Sequence, residues 1–109
     1  MKILIAEDDM ISRHLLETTL IRWGYEVVVT CDGTAAWEVL HSTDAPPLAI
    51  LDWMMPGLDG VEVCRRVRRA AMPMPPYLIL LTAKGRREDI ITGLRSGAND
   101  YVTKPFNRE

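Results

Sequence analysis

The chain has 109 residues, of which 48% are hydrophobic and 26% are charged, as in a single globular domain rather than a disordered or collagen-like chain. Thirteen Lys and Arg against fifteen Asp and Glu give a net charge of −2, which argues against a dedicated nucleic-acid-binding domain. The longest apolar run, Tyr77 to Leu81, is far shorter than the ~20 residues that span a bilayer. We expect no secretory signal peptide either, and therefore a cytoplasmic protein.

Short apolar runs recur along the chain and predict buried β-strands. They are continuous rather than alternating in polarity, as in strands that are covered on both faces, and this favours a parallel sheet. Four runs are clear and a fifth is shorter: Ile3–Ala6, Val27–Val29, Leu48–Leu51, Leu78–Leu81 and Asp100–Val102.

Helical patterns separate these runs. Apolar residues at helical spacing predict helices over about 10–23, 33–41, 60–71 and 87–96. The alternation of strand and helix predicts a doubly wound α/β sandwich with right-handed crossovers.

Polar residues lie where these strands end. Asp8 and Asp9 follow the first strand, Asp52 follows the third, Thr82 follows the fourth, and Lys104 comes just after the fifth. Because ligands of open parallel sheets bind beyond the carboxyl ends of the strands, we expect these side chains to form one site.

The charges of this predicted site indicate a cation. Three Asp carboxylates against one Lys ammonium leave an excess of negative charge, and such carboxylates would partly protonate unless a cation joined them. Mg²⁺ suits a site with few carboxylates and open water positions. A metal there can neutralise and orient a phosphoryl group, and an aspartate beside it can act as a nucleophile that forms an aspartyl phosphate.

Together these motifs resemble the receiver domain of two-component response regulators. The resemblance covers the whole chain in order and spacing, and it rests on Glu7-Asp8-Asp9, the segment 52–60, Thr82-Ala83 and Lys104-Pro105-Phe106. It implies a flavodoxin-like fold with a five-stranded parallel sheet in the strand order 2-1-3-4-5.

The resemblance also implies roles at the metal and the phosphoacceptor. Asp52 would accept a phosphoryl group from a phosphohistidine of a partner kinase. Asp9 and Asp52 would bind Mg²⁺ directly, the backbone carbonyl of Met54 would be a further ligand, and Asp8 would act mainly through water.

Four further roles follow from the same resemblance. Lys104 would pair with Asp52 and then with a phosphoryl oxygen, and Thr82 would donate its hydroxyl to the phosphoryl group. Tyr101 occupies the aromatic switch position that moves inward with Thr82. Pro105 resembles a cis-proline that turns Lys104 into the site.

A domain of this kind implies partners rather than a free substrate. We expect a sensor histidine kinase or phosphotransfer protein, an output domain or effector, and a phosphorylation-linked dimer, with no direct contact to nucleic acid or membrane. The domain would catalyse only its own phosphorylation and dephosphorylation, and it would not be a conventional enzyme.

Two alternative functions fit the sequence less well. Metal-dependent phosphohydrolases with an aspartyl nucleophile typically carry a second acid two residues later, and that position is Met54. A phosphorylation-independent interaction module would lack one of the acids, the Thr or the Lys, and none is missing.

Three features are interpreted as structural. Asp59 is predicted to be the N-cap of the third helix, and the run of Arg65, Arg66, Arg68 and Arg69 to be the solvated face of that helix. Residues 107–109 are typical of the start of a fifth helix, so we expect a receiver domain over 1–109 that is cut short at that point.

Overall fold

The computed structural model describes residues 1–83 and 85–104, and these form alternating strands and helices. The elements are β1 (Lys2–Ala6), α1 (Met10–Arg22), β2 (Glu26–Thr30), α2 (Gly33–Leu40), β3 (Leu48–Asp52), α3 (Gly60–Arg69), β4 (Tyr77–Thr82), α4 (Arg87–Arg95) and β5 (Asp100–Thr103). Pro105 and the expected start of a fifth helix at 107–109 lie outside the described residues.

The five strands form one parallel sheet in the order β2-β1-β3-β4-β5. This confirms the predicted strand order and fold class. Every predicted strand and helix is present within a few residues of its predicted boundary, because the buried runs and helical spacings are local signals.

The sheet buries apolar side chains on both faces, as the continuous apolar runs predict. In β1, Ile3 and Ile5 pack towards α1 with Leu16 and Leu20, whereas Leu4 packs on the opposite face with Leu40 of α2. Alternation along the strand therefore divides the core into two layers, and this covering of both faces is what a parallel sheet requires.

Three of the four helices in the described part of the chain begin with an Asp N-cap. The carboxylates of Asp9, Asp32 and Asp59 each accept a hydrogen bond of 2.8 Å from a backbone N–H in the first turn of α1, α2 and α3. The N-cap prediction for Asp59 is confirmed. Each such cap stabilises its helix by about 1 kcal/mol and fixes the loop that leads from the preceding strand.

Arg68 joins α3 to the loops that precede β4 and β5, at the amino ends of these strands. Its guanidinium donates hydrogen bonds to the backbone carbonyls of Gly97 (2.9 Å) and Pro76 (3.0 Å) and to Oδ1 of Asn99 (2.7 Å). The interpretation of the whole arginine run as a solvated face is therefore wrong at Arg68.

Helix lengths also bear on membrane association. None of the helices in residues 1–83 and 85–104 has the length and apolar character of a membrane-spanning helix.

Candidate functional site

Backbone hydrogen bonds continue the sheet past the ends of its strands and bring polar residues to one edge. The Lys104 N–H donates to the carbonyl of Thr82 at 2.7 Å, and the Trp53 N–H donates to the carbonyl of Leu81 at 3.1 Å. Asp52 and Thr82 are the last residues of β3 and β4. The parallel register therefore places the phosphoacceptor, hydroxyl and lysine candidates of the sequence side by side.

Three carboxylates converge at this edge. Oxygen atoms of Glu7, Asp8 and Asp52 all lie within 4.8 Å of one another. Glu7 is 1% exposed and Asp52 is 5% exposed, whereas Asp8 lies open to solvent. An arrangement of two buried acids and one exposed acid leaves an open side from which a ligand can enter.

Lys104 balances part of this charge. Its ammonium lies 2.7 Å from Oε1 of Glu7 and 3.3 Å from Oδ1 of Asp52. Burial alone would lower the pKa of Lys104, but the contact with Glu7 and the charge of Asp52 outweigh it and raise the pKa. The lysine is therefore held in its charged form between the two acids.

The charge of Asp52 is suppressed in the same environment. Burial raises the pKa of the Asp52 carboxyl to about 7, and the neighbouring Glu7 adds to the rise, although Lys104 acts in the opposite direction. A single ammonium does not compensate two buried carboxylates, so a further cation at this site would restore the ionised form of Asp52.

The donor set fits a hard divalent cation such as Mg²⁺. All three side chains offer carboxylate oxygens, the ligands that Mg²⁺ prefers. Oε1 of Glu7 is buried, and its close contact among the described residues is the Lys104 ammonium at 2.7 Å. That oxygen retains the capacity to interact with another cation, directly or through water.

Asp9, predicted from the sequence to be a direct metal ligand, is not one of the three converging carboxylates. Its Oδ2 accepts the 2.8 Å hydrogen bond from the Ser12 N–H at the start of α1. The hydrogen bonds with Ser12 lower the pKa of Asp9, as expected for an N-cap carboxylate near a helix N-terminus.

Glu7 belongs to this group of carboxylates, although it is not among the site residues predicted from the sequence. The sequence carried a usable signal, because the N-cap rule applied to Asp59 applies equally to Asp9, the residue just before α1. Removing Asp9 from the set would have left Glu7 and Asp8 as the acids nearest the strand end.

Thr82 and Tyr101 lie together on the side of the site nearest α4. Thr82 is 1% exposed, and its side chain shares a hydrogen bond with the Tyr101 hydroxyl. Burial and the charge of Asp89 raise the pKa of Tyr101, while the hydrogen bond with Thr82 opposes that rise. The two predicted switch residues are thus in direct contact.

The Tyr101 ring fills a narrow space between two elements. It meets the Trp53 ring edge to face, with centroids 6.2 Å apart and planes at 85°. On its other side, a Cβ added to Gly93 of α4 would lie 2.9 Å from two ring carbons. Only a glycine at position 93 leaves room for the ring in this position.

The last predicted metal ligand belongs to the loop between β3 and α3. Met54, whose backbone carbonyl is the expected ligand, lies in this loop with a largely exposed side chain. Pro105, the predicted positioning residue for Lys104, lies beyond the described part of the chain.

Comparison with known families and proteins agrees with this geometry. Residues 3–109 match the response regulator receiver domain model. A probable transcriptional regulator, ycf27 of Galdieria sulphuraria, is 47% identical over 106 residues, which are 97% of this chain and 40% of that protein. The transcriptional regulatory protein TctD of Salmonella typhimurium is 43% identical over 109 residues, all of this chain and 47% of that protein. The chain thus spans less than half the length of these relatives.

Solved structures show the same architecture. The receiver domain of the Francisella response regulator 1452 superposes with a TM-score of 0.88 at 35% identity, covering 97% of this chain and 85% of that one. The BeF3-activated N-terminal receiver domain of Klebsiella pneumoniae RstA gives a TM-score of 0.87 at 34% identity, covering 98% and 88%. The chain therefore belongs to the response regulator receiver domain family of two-component signalling.

Proposed function

We propose that this domain is a phosphorylation-dependent switch in which Asp52 accepts a phosphoryl group from a histidine kinase or phosphotransfer protein. One observation carries the proposal: Asp52 ends β3 within a group of three carboxylates, and the Lys104 ammonium lies 3.3 Å from its Oδ1. A buried carboxylate between an acidic cluster and a lysine has the surroundings of a nucleophile that reacts with a phosphoryl donor.

Glu7, Asp8 and Asp52 are the residues that would hold Mg²⁺, and the Met54 carbonyl is a proposed further ligand. Bound there, the ion would neutralise the charge of the incoming phosphoryl group and orient it for in-line attack. Asp9 then contributes by capping α1, which fixes the chain directly after Asp8.

In the proposed transfer, an ionised Asp52 oxygen forms a bond to phosphorus while the bond from phosphorus to the histidine nitrogen breaks. The bonding pair stays on the imidazole nitrogen, the ring, protonated on its other nitrogen before transfer, leaves as neutral histidine, and the product is an acyl phosphate on Asp52. Lys104, already charged beside Asp52, is placed to pair with a phosphoryl oxygen. The domain therefore takes part in its own phosphorylation and dephosphorylation without turning over a free substrate.

The switch would act through Thr82 and Tyr101. A phosphoryl group adds roughly −1.5 to −2 of charge and three acceptor oxygens, and the Thr82 hydroxyl is the buried donor at the end of the adjacent strand. If Thr82 turns to the phosphoryl group, its hydrogen bond with Tyr101 changes. The surface of α4 and β5 would report that change, and it would be the surface of a phosphorylation-linked dimer or effector contact.

The relatives suggest what lies downstream. Two of them are named as transcriptional regulators, and this chain covers less than half of each. We propose that DNA binding belongs to an output region outside this domain, and that the domain itself, with a net charge of −2, contacts neither nucleic acid nor membrane. The site of action would be the cytoplasm.

Incubation with Mg²⁺ and acetyl phosphate, followed by intact-mass analysis, tests the proposal. We expect wild type to gain the mass of one phosphoryl group and Asp52→Asn to gain none. Asp59→Asn is the matched control, because Asp59 lies in the adjoining loop and Asn can replace it as an N-cap. Absence of a mass gain in wild type that demonstrably binds Mg²⁺ would contradict the proposal and favour the interaction module, whereas repeated turnover of the donor without a stable adduct would favour a phosphohydrolase.

A further inference from the structure

The start of α2 lies unusually close to the loop between β3 and α3. A Cβ placed on Gly33 would overlap the carbonyl oxygen of Leu58 and would come within 2.6 Å of its carbonyl carbon and 2.9 Å of its Cβ. The main obstacle is backbone, which cannot move aside as the end of a flexible side chain can. Gly33 is buried and has no positive φ, so glycine is required here for space and not for its dihedral angles.

A second contact joins the same two segments. Gly57 has a φ of +75°, and a Cβ added to it would lie 2.8 Å from Oγ1 of Thr34. Thr34 therefore packs closely against Gly57, and Leu58 packs closely against Gly33. Two consecutive residues of the loop thus rest on the first two residues of α2.

The ends of this loop are fixed to the sheet next to Asp52. The Gly60 N–H donates a hydrogen bond of 2.9 Å to the Trp53 carbonyl, which closes residues 53–60 into a short loop. The Gly60 backbone also packs directly against the carbonyl oxygen of Asp52. Because both ends are held, a displacement of Leu58 has to be absorbed within the few residues that include Met54.

We propose that Gly33 is a positioning residue for the phosphoacceptor site. Its bare backbone sets how closely the loop 53–59, with the Met54 carbonyl, approaches the carboxylates of Glu7, Asp8 and Asp52. This inference rests on the proposed function, and it extends the site to α2, an element that supplies none of the side chains of the carboxylate cluster.

The consequence is specific to substitutions that add a Cβ at position 33. To restore an ordinary contact distance, the backbones at Gly33 and Leu58 would have to separate by about 1 Å or more. Ligands misplaced on that scale bind metal poorly. Substitution of a group that orients metal ligands typically lowers the metal affinity by about 10- to 100-fold. We therefore expect Gly33→Ala to weaken Mg²⁺ binding by about that factor in molecules that remain folded.

A titration with MgCl₂, monitored through the amide chemical shifts by NMR, measures the Mg²⁺ affinity of wild type, Gly33→Ala and Gly85→Ala. Gly85→Ala is the matched control because it lies in another strand-to-helix loop at the same edge, and its Cβ would meet only Cγ2 of Thr103 at an ordinary 3.6 Å. Spectra are compared below the thermal unfolding transition of each variant. Without metal, the Gly33→Ala spectrum should differ from that of wild type mainly at residues 53–60.

Several results decide the inference. Equal Mg²⁺ affinity in wild type and Gly33→Ala, both folded, would overturn it, as would equal losses in Gly33→Ala and Gly85→Ala. If Gly33→Ala does not fold, the exposed Thr34→Ala, which removes the contact on Gly57, should still weaken Mg²⁺ binding by a few-fold, and unchanged binding there would also overturn it. Failure of wild type to bind Mg²⁺ would instead contradict the proposed function.

Discussion

The Lys104 ammonium lies closer to Oε1 of Glu7, at 2.7 Å, than to Oδ1 of Asp52, at 3.3 Å. The lysine therefore pairs primarily with an acid that is not the proposed nucleophile. Burial, together with the neighbouring Glu7, raises the pKa of the Asp52 carboxyl to about 7, and Lys104 offsets only part of that rise. The domain thus holds its reactive group in an electrostatically costly state, which a cation or a phosphoryl group with its metal can relieve.

The three consecutive acids after β1 should differ in their effects on Mg²⁺ binding. Glu7→Gln and Asp8→Asn should each weaken binding by about tenfold or more, because each removes a charge from the converging carboxylates. Asp9→Asn should change the affinity only slightly, since Asn also caps a helix. Calorimetric or NMR titration of the three variants checks this, and a loss in Asp9→Asn as large as in Asp8→Asn would restore Asp9 as a direct ligand.

Asp52→Asn should stabilise the metal-free domain, and more so at high pH. Because the pKa of Asp52 is raised in the folded state, its protonated form favours folding. In wild type, the free-energy penalty of ionising Asp52 on folding is absent below pH ~4, grows as the pH rises, and is complete above about pH 7. Lys104 and solvent screen part of this charge, so we expect a gain on the order of 1–2 kcal/mol at pH 8.

Urea unfolding with a chelator at pH 5 and pH 8 measures that gain. Asp44→Asn is a suitable control because the Asp44 side chain is 94% exposed. A gain for Asp52→Asn that shrinks between pH 5 and pH 8, or a loss at pH 8, would contradict the pKa assignment.

Gly93→Ala should separate helix stability from switching. Alanine favours the α4 helix by up to about 1 kcal/mol, but its Cβ would force the Tyr101 ring away from Thr82 and Trp53. We expect phosphorylation of Asp52 to persist while the phosphorylation-dependent NMR shifts on α4 and β5 disappear, and Thr82→Ala should behave in the same way. The control is Thr92→Ala at the exposed neighbouring position. Wild-type shifts in Gly93→Ala would show that the space beside Tyr101 is not needed for switching.

Arg68→Ala should be the most destabilising change among the four arginines of α3. It removes the hydrogen bond to Asn99 and leaves the partly buried carbonyls of Gly97 and Pro76 without this donor, which should cost about 2–3 kcal/mol. Arg65→Ala should stay within about 0.5 kcal/mol, because Arg65 is exposed and reaches Glu62 only at 3.7 Å. Denaturant unfolding compares the two, and equal losses would argue against the bonds made by Arg68.

Local sequence patterns are enough to predict the order and type of the elements and the edge of the sheet that carries the site. Buried strands and amphipathic helices are written in local periodicity, and parallel pairing then brings Asp52, Thr82 and the residue after β5 to the same edge. These inferences need no knowledge of side-chain contacts.

Three features depend on tertiary packing: which acid after β1 turns inward, which arginine of α3 bonds to neighbouring loops, and why position 33 is a glycine. Each of these features depends on a partner that is distant along the chain. Glu7 forms an ion pair with Lys104, Arg68 donates hydrogen bonds to Gly97 and Asn99, and Gly33 packs closely against Leu58. Local patterns carry no information on such pairs, because the distances between them are set by how the helices and loops pack on the sheet.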